Sequence, residues 1–312
     1  MNILIAGMGA IGSLFAGYLT SVVNVHGVGR SWHINEIKNR GYLTVKILHK
    51  GEERKVKLKS ISTSFKDYEN QFFDYIIVSV KAYDTKAVLE ELVRYNVRGK
   101  CYALLQNGYG NEDVAKGVLG EANIVRILTN NGAYIESPGV VVHAGLGETF
   151  IGGVYGANSQ YYAKELAGII NRSGLPARAV DNIEELVFMK LVVNAVINPL
   201  TAILNVKNKA IVEVEHLREL AGSIVREVVA VAKAKGIKMD YKKALNMVLE
   251  VARKTGENIS SMLQDIRRGK RTEIDFINGA IVELAEKYKI NTPINKCLYM
   301  LVKAVEAKHL KQ

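Results

Sequence analysis

The segment that most restricts what this chain can fold into is Gly7-Met8-Gly9-Ala10-Ile11-Gly12. It follows the short apolar run of residues 1–6 directly and leads into a helical pattern carrying Leu14, Phe15, Tyr18 and Leu19. Each glycine has a physical reason to be there. Gly7 suits a tight turn, Gly9 lets a ligand approach the backbone, and Gly12 permits close packing of helix on strand. A helix that starts at this point offers N–H groups to phosphates. A second apolar run, Val22–Val28, ends at Gly29-Arg30-Ser31 and completes a βαβ unit. In that strand–turn–helix setting the glycine spacing predicts a dinucleotide-binding α/β sheet.

The rest of the chain sorts into two textures. Strands are expected around Tyr42–Leu48, Arg54–Leu58, Tyr75–Val80, Cys101–Leu105 and Ile124–Leu128, with a helix over Thr85–Tyr95. The Val- and Gly-rich stretch 139–153 alternates and predicts an antiparallel hairpin at the sheet edge. Helical periodicity returns over Ser159–Ser173, and after Asp181 only helical signals follow, beginning with 182–204. Gly174-Leu175-Pro176 reads as the linker. The expected organisation is a Rossmann-type domain over 1–180 and an all-helical domain over 181–312. A chain of 312 residues can give each a core.

Inside the first of those helices, Lys190, Asn194 and Asn198 recur every four residues among Val187, Phe188, Leu191, Val192, Val193, Ala195, Val196 and Ile197. A four-residue step advances about 40° around a helix, so the three polar groups share one narrow face. Apolar neighbours nearly all round argue that the face is buried against something polar rather than solvated. Pro199, which frees a carbonyl and bends a helix, marks the same place.

Charge and cysteines exclude more than they assign. The formal net charge is +11, but the basic residues are dispersed and not interleaved with aromatics, so a small anionic ligand is expected and nucleic acid is not. Cys101 and Cys297 lack metal-type spacing and read as buried thiols; no metal is expected. No window holds about 20 uninterrupted apolar residues, and the first residues carry no basic leader, so a cytoplasmic protein without a membrane span is expected. At the end of the second strand there is no acidic residue to bond a ribose hydroxyl. Arg30 stands there instead and suits a 2′-phosphate, predicting NADPH; stacking of Arg30 on the adenine would leave NADH usable. Two further strand ends, Val80-Lys81-Ala82 and Leu105-Gln106-Asn107-Gly108, should line the same crevice.

A last cluster runs Ser260-Ser261-Met262-Leu263-Gln264-Asp265 and then Arg271-Thr272-Glu273-Ile274-Asp275, with Thr272 as the natural helix cap. With this cluster on the page, the chain resembles the ketopantoate reductases (2-dehydropantoate 2-reductases) over nearly its whole length. The motifs are Gly7–Gly12, Val80-Lys81-Ala82, Leu105–Gly108, the Lys190/Asn194/Asn198-Pro-Leu-Thr-Ala run, and the Ser260–Asp265 and Arg271–Gly279 segments. The resemblance implies the two-domain plan of the 6-phosphogluconate dehydrogenases. It implies reduction of 2-dehydropantoate to (R)-pantoate in pantothenate and coenzyme A biosynthesis. Lys190 would be the proton donor, with Asn194, Asn198, Asn208 and Ser261 as substrate contacts. Glu273 would act on the cofactor side of the site, and Arg30, Lys81, Asn107 and Ala133 would contact the cofactor.

The chemistry of the residues agrees with that implication. A 2-oxo acid needs a hydride donor, an acid for the developing alkoxide and a clamp for its carboxylate. Lys190 can give the proton, provided burial lowers its proton affinity toward neutrality. The asparagines can donate to substrate oxygens, in a cleft between the domains. A homodimer built on the helical half is a further expectation. Two other readings stay open: a related dehydrogenase of another 2-oxo or 3-hydroxy acid, and a dinucleotide-sensing regulator without catalysis.

Overall fold

The structure, a computed structural model, describes residues 1–310, with side chains through Lys308. It divides into two compact units, one of residues 1–106 and 111–183, the other of residues 107–110 and 184 onward. The division therefore falls three residues beyond the expected 180/181 boundary, and a four-residue segment of the α/β half belongs to the helical unit.

In chain order the first unit comprises β1 (Asn2–Ala6), α1 (Ala10–Leu19), β2 (Asn24–Val28), α2 (Ser31–Arg40), β3 (Leu43–Ile47), β4 (Glu52–Val56) and β5 (Ser60–Ser62). It continues with β6 (Phe72–Val78), α3 (Thr85–Arg94), β7 (Arg98–Leu104), α4 (Asn111–Leu119), β8 (Ile124–Thr129), β9 (Gly132–Ser137), β10 (Val140–Gly145), β11 (Thr149–Tyr155), α5 (Ser159–Arg172) and β12 (Ala177–Ala179). Eight strands form the main sheet in the order β12-β11-β8-β7-β6-β1-β2-β5. From β5 to β8 this is the Rossmann order, and its direction reverses between β1 and β6. Alternation along each strand builds two cores. Ile3, Ile5, Tyr75, Ile77, Cys101 and Ala103 face one way. Leu4, Ala6, Ile76, Val78, Tyr102 and Leu104 face the other.

A second sheet, β4-β3-β10-β9, covers the outer side of α1. Every residue of α1 from Gly12 to Leu19 is buried as a result. Gly17 makes the closure possible: a Cβ there would lie 2.4 Å from Val45 Cγ2. This sheet also corrects the hairpin expected over 139–153. The two halves of that stretch enter different sheets, β10 pairing with β9 and β3, and β11 with β8 and β12. The connection passes so close to Asn130 that a Cβ on Gly147 would meet its backbone at 2.5 Å, and Asn130 N–H donates to Glu148 O. Alternation reports a half-buried strand but not its partner, which is why adjacency in sequence misled. α2 was not expected either; it buries only His33, Ile34 and Ile37.

The second unit contains α6 (Ile183–Leu204), α7 (Ala210–Glu213), α8 (Glu215–Ala234), α9 (Tyr241–Lys254), α10 (Ser261–Arg267), α11 (Asn278–Tyr288) and α12 (Pro293–Leu310). α6 runs through its middle. It is long and apolar enough to cross a membrane by length and composition, although Lys190, Asn194 and Asn198 interrupt its apolar run. Its apolar side chains, among them Phe188, Val192, Val196 and Leu200, lie instead in the core shared with α8, α9, α10, α11 and α12. Each such side chain contributes about 1.5–3 kcal/mol on burial. The helix expected from Glu273 is a short 3-10 turn, Ile274–Phe276, followed by α11.

Candidate active site

In the first unit the glycine turn is defined by what its backbone leaves no room for. Gly7 has φ +116°, and a Cβ there would come within 2.7 Å of Val80. At Gly12 a Cβ would lie 2.0 Å from Gly7 O and 2.5 Å from Ser79 Oγ. Gly9 differs: nothing lies within 4 Å of the position its Cβ would take. The protein itself does not require glycine at 9, so the open space above it fits a ligand that a side chain would displace. Around it, Gly7 and Met8 donate to Val28 O at 2.9 Å each, and Ser13 N–H donates to Gly9 O. The Ala10, Ile11 and Gly12 amides of the first helical turn precede the acceptors that an α-helix offers. These features suit a pyrophosphate.

Arg30 caps the end of β2 at the start of α2, with its guanidinium two-thirds exposed and 3.7 Å from the Asp84 carboxylate. Asp84 ends the 3-10 turn Ala82–Asp84 after β6, and Lys81 precedes that turn, accepting the Asp84 N–H through its carbonyl. Arg30 and Lys81 thus flank the glycine turn from the two strands that neighbour β1. Ala133 lies on β9 and packs, like Ile11, against the core beneath α1. His33 is fully buried; its Nδ1 accepts the Gly139 N–H and its Nε2 meets Ser13 Oγ at 3.0 Å. Burial lowers its pKa from 6.5 to about 4, so it is a neutral clamp between α1, α2 and the β9–β10 turn.

In the helical unit the polar face of α6 is present as expected. Lys190 and Asn194 are half-buried and Asn198 is buried. Thr201 extends the face by one i+3 step; its hydroxyl meets Ser260 Oγ at 2.7 Å. Ser260 is the buried N-cap of α10, accepting the Leu263 N–H at 3.1 Å. Of the serine pair, Ser260 therefore bolts α10 to α6, and the exposed Ser261 is carried to that end of the polar face. Asn208 sits in the connection after α6, donating from Nδ2 to Thr255 Oγ1 at 2.9 Å, while its Oδ1 is buried without a hydrogen-bond partner.

Asn107 and Glu273 come from distant parts of the sequence but from hydrogen-bonded segments of one unit. Tyr109 N–H donates to Phe276 O at 2.9 Å, and Tyr109 OH to Glu184 at 2.8 Å. Gly108, at φ +83°, lies so close that a Cβ would meet Phe276 O at 2.5 Å. Glu273 is buried at the head of the turn Ile274–Phe276. The turn is held by Glu306, also buried, which accepts the Thr272 N–H at 2.6 Å. Thr272 does not cap a helix, as expected of it, because the turn has Glu273 at its N-cap; its Oγ1 instead accepts the Ile274 N–H two residues on. Sequence reasoning missed Thr201 and Asn278; the first was signalled by the i+3 continuation of the stripe, the second by nothing local.

Residues 3–156 match the family described as Ketopantoate reductase PanE/ApbA, and residues 182–306 match its C-terminal counterpart. The 2-dehydropantoate 2-reductase of Pyrococcus horikoshii is 38% identical over 308 residues, covering 98% of each chain. The crystal structure of a PanE/ApbA family ketopantoate reductase from Ralstonia eutropha JMP134 superposes with a TM-score of 0.88 at 28% identity, covering 99% of each chain. The ternary structure of D-mandelate dehydrogenase with NADH and anilino(oxo)acetate gives a TM-score of 0.90 at 30% identity, again covering 99% of each chain.

Proposed function

The chain belongs to the ketopantoate reductase family, an oxidoreductase family of pantothenate biosynthesis, and from that premise we propose that it reduces 2-dehydropantoate to (R)-pantoate with NADPH. The observation that carries the reading is the α6 face of Lys190, Asn194 and Asn198, with Ser261 brought to its end through Thr201 and Ser260. A reduced nicotinamide dinucleotide, when bound, supplies the hydride to the ketone carbon. Gly7–Gly12 would hold its pyrophosphate, with Arg30, Lys81, Asn107, Ala133 and Glu273 as further contacts by resemblance to the family. Lys190 delivers the proton to the ketone oxygen and stabilises the charge that develops there. Asn194 and Asn198 donate to substrate oxygens and orient the ketone. Ser261 binds the carboxylate, and Asn208 completes the polar lining further along. Glu273 positions the cofactor side of the site.

Arg30 favours NADPH because a guanidinium matches a phosphate. The neighbouring Asp84 carboxylate tempers that preference, so NADH remains usable. Loss of reduced-nicotinamide absorbance with ketopantoate, measured separately for NADPH and NADH, tests both points. Turnover faster with NADPH is expected; faster NADH turnover would overturn the reading of Arg30, and no turnover with either would overturn the substrate. The likeness to D-mandelate dehydrogenase favours a second reading, a dehydrogenase of a different 2-oxo acid. A substrate panel in which another 2-oxo acid outcompetes ketopantoate would select it.

A further inference from the structure

Pro199 lies inside α6 and has no N–H, so the carbonyl of Ala195, four residues earlier, loses its helical donor. Ala195 is fully buried, and a buried carbonyl without a donor costs about 1–3 kcal/mol. The donor comes from another helix. Asn278, the first residue of α11 and itself fully buried, donates from Nδ2 to Ala195 O at 3.1 Å. The same amide donates to Asn295 Oδ1 at 3.0 Å. Asn295, also fully buried, donates from Nδ2 to Glu227 Oε2 at 2.7 Å. Glu227 in turn accepts the N–H groups of Ile294 and Asn295 at 2.9 Å each. A polar relay through α8, α12 and α11 thus ends on the one carbonyl that the proline frees.

Packing alone does not call for this arrangement. An alanine at 199 would supply its own amide and avoid the clash of the proline ring with the preceding turn. The freed carbonyl, on Ala195, lies between Asn194 and Asn198, and the proline follows Asn198 directly. A proline loosens the helix where it removes a hydrogen bond, so the direction in which Asn198 is presented, relative to Lys190 and Asn194, depends on what replaces that bond.

We propose that Asn278 is a positioning residue for the reaction: by taking the carbonyl freed by Pro199 it fixes the course of α6 through Ala195–Pro199 and so sets Asn198 against Lys190 and Asn194. The proposal rests on the reading of those three residues as the substrate-binding face. Pro199→Ala is the decisive variant, because it returns the amide N–H to α6 and removes the need for a donor from α11. It should melt at or above the wild-type temperature, yet lose roughly 10–100-fold in kcat/KM for ketopantoate, since small misplacements of reacting groups carry penalties of that size. The KM for the cofactor should stay unchanged. Asn278→Ser should show the same kinetic loss with a lower melting temperature. In the double variant, Pro199→Ala should recover the melting temperature but not kcat/KM.

Unchanged kcat/KM in Pro199→Ala, or recovery of both quantities in the double variant, would overturn the proposal and leave Asn278 a purely architectural donor. If Asn278→Ser does not fold, Pro199→Ala alone decides. A wild-type protein that leaves ketopantoate untouched overturns the proposed substrate instead, and the same comparison is then made with the 2-oxo acid it does reduce.

Discussion

At the end of β1 the chain removes side chains, whereas along α6 it installs polar ones among apolar neighbours. Gly7 and Gly12 have no space for a Cβ, and Gly9 has space that a ligand fits. Lys190, Asn194 and Asn198 are the reverse: side chains chosen for their chemistry, on a helix that packing alone would make uniformly apolar. In the proposed function the first region would bind through backbone amides, whose positions follow from local dihedral angles. The second would act through side-chain ends, whose positions follow from how α6 is braced by Ser260, Asn278 and their partners. Backbone sites are thus secured by steric exclusion close in sequence, and side-chain sites by hydrogen bonds from remote elements.

The largest expected effect falls on the helical side. Lys190→Ala should lower turnover of ketopantoate by roughly 10²–10⁴ while cofactor affinity, followed by fluorescence titration, stays near wild type. Retained turnover would remove the proton donor and, with it, half of the contrast.

Next come two substitutions that split the glycine turn. Gly12→Ala forces a Cβ to within 2.0 Å of Gly7 O and should lower both melting temperature and cofactor affinity. Gly9→Ala meets nothing within 4 Å and should fold with an unchanged melting temperature while cofactor affinity falls roughly 10-fold or more. Equal melting losses in the two variants would mean that Gly9 is architectural and that the open space above it has no role in binding.

A smaller effect separates the clamp of the first unit from its ligand site. Buried neutral His33 has its pKa lowered from 6.5 to about 4, so its contribution is complete above pH 6.5 and is lost as pH falls towards 4. That shift corresponds to stability on the order of 3 kcal/mol. Thermal melting between pH 7 and 4 should decline for the wild type and flatten in His33→Gln; parallel curves would assign the acid sensitivity elsewhere.

The smallest effect concerns the adjacent serines. Ser260→Ala removes the α10 cap and the link to Thr201, and should cost about 1 kcal/mol of stability. Ser261→Ala should leave melting unchanged and raise the KM for ketopantoate. Reversed outcomes would exchange the roles of the pair.

Much of this was legible without coordinates wherever the determining interactions are local. The strand–Gly7–Gly12–helix unit, the change of texture near residue 181 and the α6 stripe all follow from periodicity and from Cβ sterics. The 139–153 hairpin failed because a strand's partner is decided by the whole sheet. α10 is not legible in the sequence because seven residues carry little periodic signal and its cap, Ser260, is one of two adjacent serines. The Asn107–Gly110 segment reads as a plain strand-end loop, yet Tyr109 and Gly108 fasten it to the Phe276 turn, some 170 residues on by numbering.

By itself, then, the sequence determined the α/β and helical halves, the glycine turn and the polar face of α6, because all of these depend on residues within a few positions of one another. Only the tertiary structure decided which serine caps and which is exposed, that Asn278 supplies the donor Pro199 withholds, and that residues 107–110 belong with the helical unit. Those outcomes rest on hydrogen bonds between groups far apart along the chain. Nothing in a local pattern specifies the partner of a buried polar group; the folded core does, by leaving it only one within reach.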